Sequence, residues 1–168
     1  ITVSTLHEAA YFLDHGIVDI TYAVGIVPAK LDAAAELVRR GADLKIITDH
    51  IDVAHSIAAH TAPHKVLIEI DTGDKRGGVL PDAPELTEIG RVLHEAANVT
   101  LVGVLTHAGH SYNRRTPQAI AAVAEEERAG AVHAAERLRA ARIACPVVSV
   151  GSTPTATLDR KSTRLNSS

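Results

Sequence analysis

The chain reads as an α/β protein of the parallel (β/α)8 TIM-type barrel class, and three features of its sequence carry that reading. Six apolar, β-branched runs alternate strictly with five helical stretches, joined by turns too short for anything but right-handed crossovers. The repeat is about 25 to 30 residues, the length of one strand–helix unit in a barrel of about 250 residues. The longest and most polar connections follow Asp71, Thr106 and Val150. Each lies at a strand's carboxyl end, the face on which such folds place their sites. A doubly wound open sheet is the rival, but its first strand would run into a Gly-rich dinucleotide turn, and Ser4-Thr5-Leu6 is no such turn. Composition agrees with buried parallel strands: hydrophobic residues make up 46% and aromatic residues 2%, so the core is built of Val, Ile, Leu and Ala.

Taken in order, residues 1–4 form a short apolar strand, and Thr5-Leu-His-Glu8 is a capping-box signature that opens a helix closed by Gly16. Residues 18–24 read as the second strand, followed by a Pro28-led helix that runs to Arg40 and stops at Gly41. The third strand spans 43–48, and its helix, 51–62, is stopped by Pro63. Residues 64–71 are rich in Val and Ile without clean alternation, as a strand covered on both faces should be. A polar loop, 72–81, leads to a helix at 84–97, a strand at 99–106, a second loop at 107–116 and a long helix at 117–141. Pro146-Val-Val-Ser-Val150 is the sixth strand.

That strand gives way at once to Gly151-Ser152-Thr153-Pro154-Thr155, a turn fit to cup an anion. Gly151 permits close approach, the N–H groups of Ser152 and Thr153 can converge, and the hydroxyls of Ser152, Thr153 and Thr155 add donors. An ordinary strand-ending turn has the same composition. Asp71-Thr-Gly-Asp-Lys-Arg76-Gly-Gly-Val79 places an arginine in a Gly-rich strand-end loop, where a guanidinium can fork onto a carboxylate or polarise a phenolic oxygen; a solvated loop with a surface arginine is the alternative. Thr106-His-Ala-Gly-His-Ser-Tyr112 gathers two imidazoles and a phenol. His107 and His110 lack an acidic or thiol companion, so no metal site is assigned, and a general acid–base or ring-stacking imidazole fits better. The remaining histidines, His60 and His64 among them, read as solvated surface, and Glu125-Glu126-Glu127 reads as a wet helical face. Cys145, the only cysteine, reads as packing and is compatible with a reducing, cytoplasmic compartment. The net charge of −3 gives no reason to expect nucleic acid, and no run is long enough to cross a membrane.

Three stretches together, Ile68-Glu-Ile-Asp-Thr-Gly-Asp-Lys-Arg76-Gly-Gly-Val79, Gly103-Val-Leu-Thr-His-Ala-Gly-His-Ser-Tyr112 and Val148-Ser-Val-Gly-Ser-Thr-Pro-Thr-Ala156, resemble the D-serine dehydratase and D-threonine aldolase-like family. Its members are pyridoxal-phosphate lyases on an alanine-racemase-type barrel. The resemblance implies that Gly151, Ser152, Thr153 and Thr155 hold the cofactor phosphate. It places Arg76 near the cofactor's phenolic side, has Tyr112 reach the ring or substrate, and makes Tyr112, His107 and Arg76 the catalytic set. Asp74-Lys75 departs from the Met-Asn or Met-Gly pair of the racemase-type loop. The resemblance further implies a D-β-hydroxy amino acid as substrate, with the dehydratase side favoured, a homodimer, and a divalent metal, zinc or manganese, held by residues outside this chain. A pyridoxal-phosphate homeostasis protein without catalysis and an amino-acid racemase share the same barrel. A cofactor-free barrel acting on sugar phosphates would use the same anion cup, but the sequence offers it no evident carboxylate or lysine base.

By the same likeness, residues 1–4 match the second barrel strand, so residues 1–158 are expected to be strands two to seven of the barrel. The cofactor's lysine is then expected upstream; Lys45, Lys65 and Lys75 do not stand where it would. Residues 159–168, Asp-Arg-Lys-Ser-Thr-Arg-Leu-Asn-Ser-Ser, are the translation of the sequencing-adapter string GATCGGAAGAGCACACGTCTGAACTCCAGT and are expected to be read-through, not native protein.

Overall fold

The computed structural model describes residues 1–158; the stretch read as adapter-derived, 159–168, lies outside the described residues. Six parallel strands, β1 (Thr2–Val3), β2 (Asp19–Gly25), β3 (Asp43–Thr48), β4 (His64–Glu69), β5 (Val99–Leu105) and β6 (Val147–Ser149), pair in the order of the chain. A doubly wound sheet reverses its strand order at a switch point, and this sheet has none. One cavity is lined by both outermost strands, β1 through Val3 and β6 through Ser149. Six strands laid flat would hold those edges more than 20 Å apart, at about 4.8 Å per neighbour. The sheet therefore curls into a parallel half-barrel.

Alternation along the strands assigns its two faces. Leu44 and Ile46 of β3, with Val66 and Ile68 of β4, join the core formed with the helices α1 (Leu6–Asp14), α2 (Leu31–Arg39), α3 (Ile51–Ala59), α4 (Pro84–Glu95) and α5 (Pro117–Ala140). Lys45 and Ile47 of β3, with Lys65 and Leu67 of β4, take the opposite, inner face. At the amino ends of the strands this face carries a charge network: Lys45 Nζ reaches Asp19 at 2.7 Å and Asp43 at 3.0 Å, and Lys65 Nζ reaches Asp43 at 2.8 Å.

Local chemistry explains most boundaries. In α1, Thr5 Oγ1 accepts the Glu8 N–H at 3.0 Å while the Glu8 carboxylate accepts the Thr5 N–H at 2.9 Å, closing the capping box. Pro28 opens a 3-10 turn, Pro28–Lys30, and α2 proper begins at Leu31. The third helix stops at Ala59, three residues before the sequence reading. Asn98 explains the early stop: its side-chain amide donates to the carbonyls of Ile57 and His60, at 3.1 and 2.6 Å, supplying a partner where the helix would have continued.

Three further readings are corrected. A sixth helix, α6 (Thr153–Leu158), stands where a turn alone was expected. His64 is buried, and its Nε2 lies 2.9 Å from His60 Nδ1, whose Nε2 faces Asp32 at 3.2 Å. Both imidazoles sit where α3 returns to the start of β4, where packing buries His64 and leaves the His60 side chain 17% exposed. Glu127 is 2% exposed and belongs to the buried face of α5, not its wet face. Among the described residues no helix is long and apolar enough to cross a membrane.

Candidate active site

The carboxyl ends of all six strands surround a single cavity of about 800 Å³. Its lining runs from Thr2–Ser4 and Ala23–Gly25, past Asp49, Glu69 and the loop residues Arg76 and Gly77, to Leu105–His107 and Ser149–Gly151. Sites for small molecules occupy about 300–1,000 Å³.

The loop after β4 returns to the sheet. Asp71 N–H donates to the Val79 carbonyl at 3.0 Å and Val79 N–H to the Glu69 carbonyl at 2.9 Å, while Asp71 Oδ1 accepts the N–H groups of Gly73 and Lys75. This fold-back brings Arg76 over the cavity with its side chain 65% exposed. The β3 end fixes the same loop, since Asp49 Oδ2 accepts the Gly78 N–H at 2.7 Å. Asp74, the departure in the racemase-type loop, lies between Arg76 Nε, at 3.9 Å, and His110 Nδ1, at 4.0 Å.

After β5, Thr106 is buried and donates to the Ile70 carbonyl at 2.7 Å, tying the two loops. His107 faces the cavity and sets its Nδ1 3.1 Å from the Gly151 carbonyl. A carbonyl only accepts, so Nδ1 is the donor here, and in the neutral form of the imidazole Nε2 is then the acceptor. Tyr112 stands apart from the cavity lining, on the 3-10 turn Gly109–Asn113; it is 54% exposed, with its ring 6.2 Å from that of His107.

After β6, Gly151 lines the cavity at φ +141°, and a Cβ added there would meet nothing within 4 Å. The backbone at this point is open to a ligand. Thr153 is exposed, whereas Ser152 and Thr155 are buried. Ser152 N–H donates to Thr155 Oγ1 at 2.9 Å, and Thr155 Oγ1 donates to Glu127 Oε2 at 2.8 Å. Of the sequence-derived candidates, the fold thus gathers Arg76, His107 and Gly151 on one cavity. It places Ser152, Thr153 and Thr155 directly behind its rim and Tyr112 to one side.

Sequence reasoning missed two cavity carboxylates, Asp49 and Glu69. Burial first, and the neighbouring Asp49 charge second, push the Glu69 carboxyl above its ordinary range, while Arg76 and His107 pull it back. Their position at strand carboxyl ends was the available signal. They also remove the objection that this cavity lacks a carboxylate base. None of the lining residues is a lysine: Lys45 and Lys65 are committed to the charge network at the other end of the strands.

Comparison with known proteins matches this arrangement. A D-threo-3-hydroxyaspartate dehydratase of Delftia sp. (strain HT23) is 55% identical over 161 residues, covering 93% of this chain and 42% of that protein. Its solved structure superposes with a TM-score of 0.92 at 53% identity, over 96% of this chain and 44% of the other. A D-threonine aldolase from Filomicrobium marinum follows at TM-score 0.78 and 26% identity, covering 89% and 41% of the two chains. An uncharacterized protein of Mycobacterium tuberculosis is 35% identical over 162 residues, 93% of this chain and 91% of that one. The chain spans under half the length of the dehydratase and of the aldolase. The model of the alanine racemase N-terminal domain matches residues 1–166. The curled parallel sheet, the rim at the strand carboxyl ends and these matches agree: the chain belongs to the family of the alanine racemase N-terminal domain.

Proposed function

We propose that this chain is the cofactor-binding part of a pyridoxal-phosphate-dependent lyase acting on D-β-hydroxy amino acids, with dehydration as its reaction. The observation that carries the reading is the convergence of Arg76, His107 and the open Gly151 backbone on one cavity, in a chain 55% identical to a D-threo-3-hydroxyaspartate dehydratase. On this reading residues 1–158 are strands two to seven of an eight-stranded barrel and residues 159–168 are not native. The lysine that carries the cofactor then lies outside the chain.

The residues present fit such a cofactor. The Gly151 backbone is open where a phosphate oxygen would approach, with the Thr153 N–H at the start of α6 behind it, whereas the N–H groups of Gly151 and Ser152 are given to Glu127 and Thr155. The hydroxyls of Ser152 and Thr155 hold that loop in shape from within, through the network ending on Glu127. Arg76, across the cavity, suits the phenolic oxygen of the ring or the substrate carboxylate. When bound, the cofactor withdraws electrons from the substrate Cα. The chain supplies the rest: His107 presents Nε2 as a hydrogen-bond acceptor for an N–H or O–H of the bound molecule, and Glu69, with its raised pKa, holds a proton more readily than an exposed carboxylate does. Tyr112 would approach the ring or substrate from its exposed 3-10 turn beside His107. A divalent metal, zinc or manganese, would assist departure of the β-hydroxyl from ligands elsewhere in the protein. One solved structure of a D-threo-3-hydroxyaspartate dehydratase variant is of its metal-free form. The active form is a homodimer in the cytoplasm.

In the full-length enzyme, Arg76→Ala and His107→Gln should each lower kcat/KM for D-3-hydroxyaspartate or D-serine by about 10- to 1,000-fold, with the melting temperature nearly unchanged. Release of a 2-oxo acid and ammonia identifies dehydration; glycine and an aldehyde identify retro-aldol cleavage. Full activity in both variants would refute the site.

A further inference from the structure

Glu127 is a carboxylate buried among alanines on α5, 2% exposed, and its two oxygens serve both loops that flank the rim. Oε1 accepts the Ala108 N–H at 2.9 Å, from the loop after β5, and the Gly151 N–H at 3.0 Å, from the loop after β6. Oε2 accepts the Thr155 hydroxyl at 2.8 Å.

An ionised carboxylate cannot donate, so the Thr155 proton is committed to Glu127. Ser152 Oγ, 3.0 Å from Thr155 Oγ1, must then give its own proton to Thr155, and Ser111 Oγ, 2.7 Å from Ser152 Oγ, must give its proton to Ser152. Every hydroxyl in this buried chain points toward Glu127, and the N–H groups of Gly151 and Ser152 are bound behind the rim as well. The same carboxylate fixes His107 indirectly. Gly151 gives its N–H to Glu127 and its carbonyl to His107 Nδ1, so the peptide groups either side of Gly151 are held from opposite sides.

We propose that Glu127 is the positioning residue of the phosphate rim: it locks the loop after β6 against the loop after β5, orders the hydroxyls behind the rim and sets the orientation of His107. The proposal rests on the cofactor reading above. The role is geometric, because a negative charge behind an anion site repels the anion. Keeping the acceptor while removing the charge should therefore leave phosphate binding unchanged or tighten it. Glutamine does this: its oxygen can still accept from Ala108 and Gly151 while its amide donates to Thr155, whose proton turns toward Ser152.

The test is fluorescence titration of the apo form of the full-length enzyme with pyridoxal 5'-phosphate and with pyridoxal, which lacks the phosphate. Glu127→Ala should weaken pyridoxal phosphate about tenfold or more and leave pyridoxal unchanged, whereas Glu127→Gln should bind the phosphate form within about threefold of wild type or tighter. Should the alanine variant fail to fold, Glu127→Asp keeps the charge but withdraws its oxygens by one carbon–carbon bond, and it carries the same expectation as alanine. An equal loss for both ligands, no loss for either, or a tenfold loss in Glu127→Gln overturns the positioning role. A wild-type enzyme that binds both ligands alike refutes the cofactor reading itself, and the proposal with it.

Discussion

Gly103 offers the sharpest test of how the rim is built. It lies in β5 at φ +150°, opposite Val147 of β6, and a Cβ added there would stand 2.0 Å from the Val147 carbonyl oxygen and 2.8 Å from its carbon. Reaching ordinary contact requires the strands to part by more than an ångström. The register Gly103 to Val147, Val104 to Val148 and Leu105 to Ser149 is the whole of the β5–β6 pairing, so this displacement removes two or three ladder hydrogen bonds at about 1 kcal/mol each. The unfavourable φ adds about 1–2 kcal/mol. Gly103→Ala should therefore cost roughly 3–5 kcal/mol, a large part of the 5–15 kcal/mol typical of a folded domain. Gly25→Ala is the control: its Cβ would meet nothing within 4 Å, and no positive φ opposes it. It should be neutral or stabilising by up to about 1 kcal/mol. Urea unfolding followed by far-ultraviolet circular dichroism gives both values. A Gly103→Ala protein within about 1 kcal/mol of wild type, at unchanged denaturant slope, would refute the close approach of β6 to β5 and with it the placement of Gly151.

Two pH predictions follow from the buried titrating groups. The Glu69 carboxyl is pushed up by burial and by Asp49, so its folded state favours the proton, and its contribution, complete at low pH, is lost as pH rises through the folded pKa. Glu69→Gln should accordingly melt higher than wild type at pH 7–8, with the gap closing as pH falls through the carboxylate range; a gap that widens toward acid would be the wrong sign. The His64 imidazole is pushed down by burial and then by the charge of His60, so its contribution is present above the unfolded value of about 6.5 and is lost as pH falls through the folded one. Wild type should lose more melting temperature than His64→Asn between pH 7.5 and 5.5, and parallel losses would show that His64 does not titrate in the fold.

The fold was legible because its determinants are local and repeated. Period, capping box, helix-opening prolines and β-branched runs each act within a few residues, and they placed the six strands within about two residues at most ends. The site was legible in outline, since the rule of strand carboxyl ends pointed to the loops holding Arg76, His107 and Gly151. What escaped depends on contacts distant in sequence. Asn98 ends α3 from some forty positions away, and nothing around Ala59 announces it. Glu127 was read from its neighbours Glu125 and Glu126, although it falls on the stripe Val123, Ala124, Glu127, Ala131, Ala134, Ala135, Leu138 that a 3.6-residue period marks as buried. There the pattern was present and charge overrode it.

The two ends of the sheet's inner face show how the chain separates stability from chemistry. At the amino ends, Asp43 is held below its ordinary range by Lys65 and Lys45, and Asp19 by Lys45. Lys45 itself is pulled down by desolvation, but its hydrogen bonds to Asp19 and Asp43 outweigh that and raise it. Asp19, Asp43 and Lys45 each favour the ionised form there, and each is answered by an opposite charge. At the carboxyl ends the balance is left incomplete. Glu69 is disfavoured as an anion by burial and by Asp49, and Arg76 spends most of its surface on solvent, with its nearest carboxylate at 3.9 Å. Both sets stand at strand ends of the same sheet, so burial by the fold alone does not account for the difference. The incompletely answered groups are those that line the cavity, where a bound molecule carrying its own charges would complete them.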